Sequence, residues 1–217
     1  MSKRIVFIAA EDEYQSPETM PALAREMESA HGMKCTVLFD KNNKSNWKPE
    51  PHVRINELIG LEALKDADLL VIYMRFRTFN EDQCALIQKY LDSGRPVAGF
   101  RTSTHSFNYA KDDPLAHWNA FGAEVLGAPW ETHYGHESST DVYTPAEAAN
   151  DPILNGVARE FHVRSWLYKT RPKYPPADSK PLLMGKSVNP NKEAIESPVA
   201  WTRQHKGGGR VFTTTRN

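Results

Sequence analysis

Six consecutive apolar residues, Ile5-Val6-Phe7-Ile8-Ala9-Ala10, constrain this chain more than any other feature. A strand with one wet face alternates apolar and polar residues, so an unbroken run needs cover on both faces, as in a parallel sheet between helical layers. The signature returns in Leu69-Leu70-Val71-Ile72-Tyr73-Met74 and, shorter, in Cys35-Thr36-Val37-Leu38-Phe39 and Pro96-Val97-Ala98-Gly99-Phe100. Helix signals fall between the runs. Ser16-Pro17 reads as an N-cap and first helical residue, Met20, Leu23, Ala24 and Met27 form a stripe, and Gly32 stops it. Leu58, Leu61 and Leu64 suggest a short helix. Asn80-Glu81-Asp82-Gln83 resembles a capping box, followed by Cys84, Ile87 and Leu91 on an inner stripe and by Gly94. Strand–helix alternation of this kind predicts an α/β fold with a mostly parallel central sheet covered on both faces.

The second half is less regular. Residues 114–121 read as a helix capped by Asp113, and residues 140–144 as a strand. Leu182-Leu183-Met184-Gly185 and Pro198-Val199-Ala200-Trp201-Thr202 read as further strands; Gly207-Gly208-Gly209 turns the latter back into residues 210–215. With no internal repeat, low-complexity tract or linker, residues 1–217 are expected to form one domain.

Composition narrows the function classes. The 27 basic and 27 acidic residues balance, without the basic excess of a nucleic-acid binder. No apolar run reaches the ~18 residues of a membrane-spanning helix. Residues 5–10 are too short for a signal-peptide core. Two cysteines, Cys35 and Cys84, cannot build a disulfide scaffold, which points to the reducing cytoplasm; a leader removed upstream of Met1 would point to secretion instead.

In parallel sheets ligands bind beyond the carboxyl ends of the strands. That rule nominates residues 11–15, 75–80 and 101–108. Arg101-Thr102-Ser103-Thr104-His105 follows the fourth strand directly. His105 is a candidate base because its ordinary pKa lies near neutrality; Arg101 is a candidate for holding an oxyanion or carboxylate, and Ser103 and Thr104 for binding hydroxyls. The bland reading of the same residues is a loop whose hydroxyls cap the next helix. Glu11 and Tyr14 follow the first strand as candidate acids, or as an acidic approach complementing a helix dipole. In Trp130-Glu131-Thr132-His133-Tyr134-Gly135-His136 the spacing of His133 and His136 suits zinc, although a third ligand is not fixed by the motif, and plain hydrogen bonding is the alternative. Trp166 and Tyr168 are candidates for stacking on sugar faces, whereas Trp201, inside a strand, is read as core.

Several segments, in order, resemble the trehalose-utilisation (ThuA-like) family. They are residues 4–10, 67–73 and 96–107, then Phe121-Gly122-Ala123, residues 151–157 (DPILNGV), Pro198-Val199-Ala200-Trp201-Thr202 and Gly209-Arg210-Val211-Phe212. The resemblance implies a class I glutamine amidotransferase-like fold, a flavodoxin-like three-layer sandwich, and a place in disaccharide catabolism beside dehydrogenases that make 3-keto sugars. Two departures stand out. Gly99-Phe100-Arg101 puts arginine where amidotransferases carry their nucleophilic cysteine, and no His-x-Glu pair follows near the C-terminus. Thioester chemistry on glutamine is therefore not expected. The family's last strand usually runs on into Gly-His and a closing helix, whereas here the sequence stops at Thr215-Arg216-Asn217, which implies a domain shortened at its C-terminus.

The resulting expectation is a protein that takes a small sugar substrate, with no nucleic-acid or membrane partner. As an enzyme it would cleave or isomerise a keto-glycoside: His105 as base, Arg101 or a zinc ion on His133 and His136 holding the enediolate, Glu11 or Tyr14 as acid, and Ser103, Thr104, His133, His136, Trp166 and Tyr168 against the sugar. A non-catalytic carbohydrate-binding module needs the aromatic and polar groups but no acid–base pair. The third class is a structural domain of a homo-oligomer, for which a large apolar patch would speak.

Overall fold

The computed structural model describes residues 2–135, 137–170, 173–189 and 193–216. In chain order its strands are β1 (Arg4–Ala10), β2 (Lys34–Phe39), β3 (Leu69–Met74), β4 (Val97–Phe100), β5 (Ser139–Tyr143), β6 (Glu160–Val163), β7 (Lys180–Val188), β8 (Glu196–Gln204) and β9 (Arg210–Thr214). Among the described residues they form one sheet in the order β2-β1-β3-β4-β9-β8-β7-β5-β6. The first four strands lie parallel and adjacent, as their unbroken apolar character predicts.

Alternation along β1 explains that character. Val6, Ile8 and Ala10 face a core built with residues of α2 (Glu81–Asp92), while Ile5, Phe7 and Ala9 face Met20 and Ala24 of α1 (Ser16–His31). Every residue of β1 after Arg4 is buried, so each side chain has a dry neighbour whichever way it points.

The sheet as a whole is mixed, which corrects the expectation of a mostly parallel one. β2–β1, β1–β3, β3–β4 and β4–β9 pair in parallel, and β9–β8, β8–β7, β7–β5 and β5–β6 pair antiparallel. Antiparallel neighbours need no crossover helix, so the second half could lose its helix rhythm and still extend the sheet. The expected helix over 114–121 is a 3-10 segment, Ala116–Ala120, running into a π-type turn, Gly122–Leu126. Asp113 does not cap an α-helix there: its carboxylate takes Arg54 Nη1 at 2.6 Å, His52 N–H at 2.7 Å and Leu115 N–H at 2.9 Å. Ser16 is likewise not the cap of α1; Gln15 is, in the left-handed region at φ 59°. Asn80 caps α2 as read, accepting from Gln83 N–H at 2.9 Å. Trp201 is fully buried and donates Nε1–H to the Leu126 carbonyl at 2.8 Å. No helix among the described residues is long and apolar enough to cross a membrane.

Candidate functional site

The carboxyl ends of β1, β3, β4 and β9 converge, and each is followed by a residue that shapes the same hollow. The turn after β4 is strained: Arg101 has φ 37°, a left-handed conformation that is uncommon for a residue with a Cβ. It opens a 3-10 turn, Arg101–His105, that is held from below. Ser103 Oγ donates to the Ile72 carbonyl at 2.7 Å and accepts from Met74 N–H at 3.2 Å, tying the turn to β3. Gly122 approaches so closely that a Cβ there would lie 1.9 Å from the Thr104 carbonyl oxygen.

His105 has a definable tautomer. Thr104 Oγ1 donates its one hydrogen to the Arg101 carbonyl at 3.2 Å and also lies 3.2 Å from His105 Nδ1. With that hydroxyl hydrogen on the Arg101 carbonyl, neutral His105 donates Nδ1–H to Thr104 Oγ1, and in this tautomer Nε2 keeps its lone pair. Burial, Arg75, Arg101 and His133 hold the His105 pKa well below the ordinary histidine value, so the ring is neutral at pH 7. Phe76 and Trp130 flank it at centroid distances of 4.9 and 5.1 Å, with Tyr168 at 6.2 Å.

His105 lines an inner pocket of about 130 Å³ together with Glu13, Tyr14, Arg75, Arg101, His133 and the aromatic walls Trp47, Phe76, Trp130, Trp166 and Tyr168. Glu13, Tyr14, Arg101 and Trp166 also border an outer cleft of about 640 Å³, completed by Val163, Arg164 and Ser165. Arg101 sits at the junction. Its guanidinium is sandwiched between the rings of Tyr14 and Tyr168, at 4.7 and 4.6 Å, and donates to the Tyr14 hydroxyl at 3.3 Å and the Thr215 carbonyl at 2.9 Å. Arg75 is neutralised instead by Glu13 at 2.9 Å, and lies over the Trp47 ring at 4.4 Å. His133 stacks on Trp166 at 4.8 Å, so the loop carrying it folds over the strand ends and meets His105.

Three sequence candidates lie in the scaffold, not the cavity. Glu11 is fully buried, and its carboxylate accepts N–H bonds from Glu13 at 2.8 Å, Tyr14 at 2.6 Å and Ser16 at 2.6 Å, shaping the turn that presents Glu13 and Tyr14. Ser103 and Thr104 are buried with their hydroxyls engaged as above, because short polar side chains next to free backbone groups bond locally first. His136 lies outside the described residues. Among the described residues no three His, Cys, Asp or Glu side chains cluster in a way that could hold a metal ion. Sequence reasoning offered Glu11, Asp12 and Glu13 as acidic partners of Arg101, whereas Glu13 pairs with Arg75; it assigned no role to Arg75 or Trp130, although both lie in segments it singled out. It had no signal for Trp47 or Arg216. No nucleophilic thiol is at hand either: Cys84 lies on α2, bonded to the Tyr109 hydroxyl at 3.2 Å, with burial pushing its pKa up to about 11.

A family model described as trehalose utilisation, ThuA, matches residues 5–216. The chain belongs to the ThuA family. Two solved ThuA-like proteins share its fold. The one from Bacteroides uniformis is 13% identical, with a TM-score of 0.64 over 99% of this chain and 81% of that one. The one from Parabacteroides merdae is 12% identical, with a TM-score of 0.67 over 99% of this chain and 79% of that one. A GH42 β-galactosidase shares the fold over 28% of its length, at 9% identity and a TM-score of 0.52. No functionally curated protein is detectably similar in sequence. Family membership ties the chain to carbohydrate utilisation.

Proposed function

We propose that this ThuA-family protein processes a keto sugar by acid–base chemistry in the inner pocket. The observation that carries the reading is the pairing, in one aromatic-walled hollow, of a neutral histidine with an arginine that no carboxylate among the described residues neutralises. A ketone acidifies the C–H beside it. His105 Nε2 takes that proton, the C–H electron pair becomes a C=C bond, and the ketone oxygen becomes an enediolate oxygen beside Arg101. The enediolate then collapses and expels the glycosidic oxygen from the neighbouring carbon, and Tyr14 gives that oxygen its proton. Water adds to the resulting enone to complete the cleavage. The cations that weaken His105 as a base also stabilise the enediolate, so the two effects offset each other.

Trp130 and Trp166 supply flat apolar faces suited to the C–H faces of a sugar ring. Those walls alone would also serve a non-catalytic carbohydrate-binding module, the second reading. Incubation with natural and 3-keto disaccharides separates the two. The enzyme reading expects monosaccharide release from the keto form; tight binding of both forms without release would favour the module. The order β2-β1-β3-β4-β9 of the parallel half, with a strained turn after β4, also supports descent from a flavodoxin-like, glutamine amidotransferase-type ancestor that replaced its nucleophile with Arg101.

A further inference from the structure

The fully buried guanidinium of Arg77 meets Asp40 at 3.1 Å, and the half-buried Arg54 and Arg75 meet Asp113 at 2.6 Å and Glu13 at 2.9 Å. Arg101 and Arg216 break the pattern. They are 1% and 7% exposed, and their Nη1 atoms converge on one oxygen, the Trp166 carbonyl, at 3.5 and 3.1 Å. Every other acceptor they reach among the described residues is neutral: the Thr215 carbonyl and Tyr14 hydroxyl for Arg101, the Ser165 carbonyl and hydroxyl for Arg216. Nε of Arg101 and both Nε and Nη2 of Arg216 are buried without a hydrogen-bond partner among the described residues. Two adjacent buried cations with neither counter-charge nor full hydrogen bonding among the described residues are costly by several kcal/mol. Burial and the neighbouring Arg101 pull Arg216 down to about 9.

An enediolate carries its charge only transiently, and one guanidinium answers it. The second cation calls for a charge that stays on the ligand. The outer cleft, which Arg101 lines, adds Arg164 and Ser165 to its wall, and its one carboxylate, Glu13, is already held by Arg75. We infer that the ligand of this cleft is an acidic sugar whose carboxylate or phosphate group lies against Arg101, backed by Arg216 and closed over by Arg164. This inference rests on the reading of the two cavities as a sugar site, and it names the substrate class.

The test is calorimetric binding of matched probes to the intact protein: glucuronate and gluconate, glucose 6-phosphate, inorganic phosphate, and neutral glucose. At least one acidic sugar should bind about tenfold or more tighter than glucose, the strength of one charge-assisted contact. A carboxylate site favours glucuronate or gluconate, and a phosphate site favours glucose 6-phosphate with inorganic phosphate as a competitor. The preference should shrink with added salt and fall to near unity in Arg216→Gln, or in the exposed-rim variant Arg164→Gln if the first does not fold. Equal binding of acidic and neutral sugars, no binding by any acidic probe, or a preference that both variants retain would overturn the inference. Release of monosaccharide from a neutral keto disaccharide with no acid preference would discard this inference and keep the proposed function. Acid preference without turnover of any keto disaccharide would do the reverse.

Discussion

At the residue scale the proposed chemistry depends on the protonation state of His105. Its folded pKa is lowered, by burial first and then by Arg75, Arg101 and His133, so the imidazole stays neutral under conditions that would charge a free histidine. Two consequences follow with definite signs. The base form persists on the acid side, so kcat/KM should not fall as pH drops from 7 through about 6.5, the ordinary histidine value. Stability behaves oppositely. Below about 6.5 the unfolded chain binds a proton that the folded chain refuses, so this group's contribution to stability falls as pH is lowered towards the folded value. Following the His105 ring carbons by NMR should show a midpoint below 6.5; a midpoint at or above it would remove both arguments. The sequence located His105 and Arg101 because they follow a buried strand. It could not tell a side chain that faces a cavity from one that serves the backbone. Ser103 and His105 lie two residues apart on the same turn, yet one hydroxyl is tied to β3 and one ring lines the pocket.

At the element scale, the turn Arg101–His105 is held in a strained shape by its neighbours, and the turn after β1 by Glu11. Gly122→Ala would put a methyl group 1.9 Å from the Thr104 carbonyl, which backbone must move to relieve. Expected losses are about 2 kcal/mol or more of stability, with turnover impaired even in the molecules that fold. A melting temperature within a degree of the parent would show that the turn is not so confined. Glu11→Gln should cost about 1–3 kcal/mol, because an amide cannot replace a carboxylate that accepts three N–H bonds. Urea denaturation measures it, and an unchanged midpoint would contradict the scaffold role. Helices α1 and α2 were legible because their stripes and stops are local. The 3-10 and π-type turns over residues 116–126 were not, because long-range packing of Trp118, Phe121 and Leu126 decides them.

At the scale of the whole molecule, the parallel half was legible because two-sided burial leaves an unbroken apolar run. The antiparallel half includes short, partly exposed strands such as β6, whose pattern resembles a loop. That half nevertheless closes the site: Val163, Arg164, Ser165 and Trp166 form the wall of the outer cleft. Arg216 was illegible because only the long-range parallel pairing of β9 with β4 brings it beside Arg101. With Cys84 buried in the core and Cys35 on β2, treatment with a thiol alkylator should leave sugar chemistry intact, and glutamine should not be hydrolysed. Alkylator-sensitive glutaminase activity would contradict this. Proton abstraction by His105 is read directly by exchange with solvent, without requiring cleavage. A 3-keto sugar incubated with the protein in D₂O and followed by NMR should lose its C–H signal beside the ketone. His105→Ala should slow that exchange by about a hundredfold or more while leaving the fold intact. Exchange that continues at the parental rate in His105→Ala, or no exchange above the protein-free rate, would contradict the account.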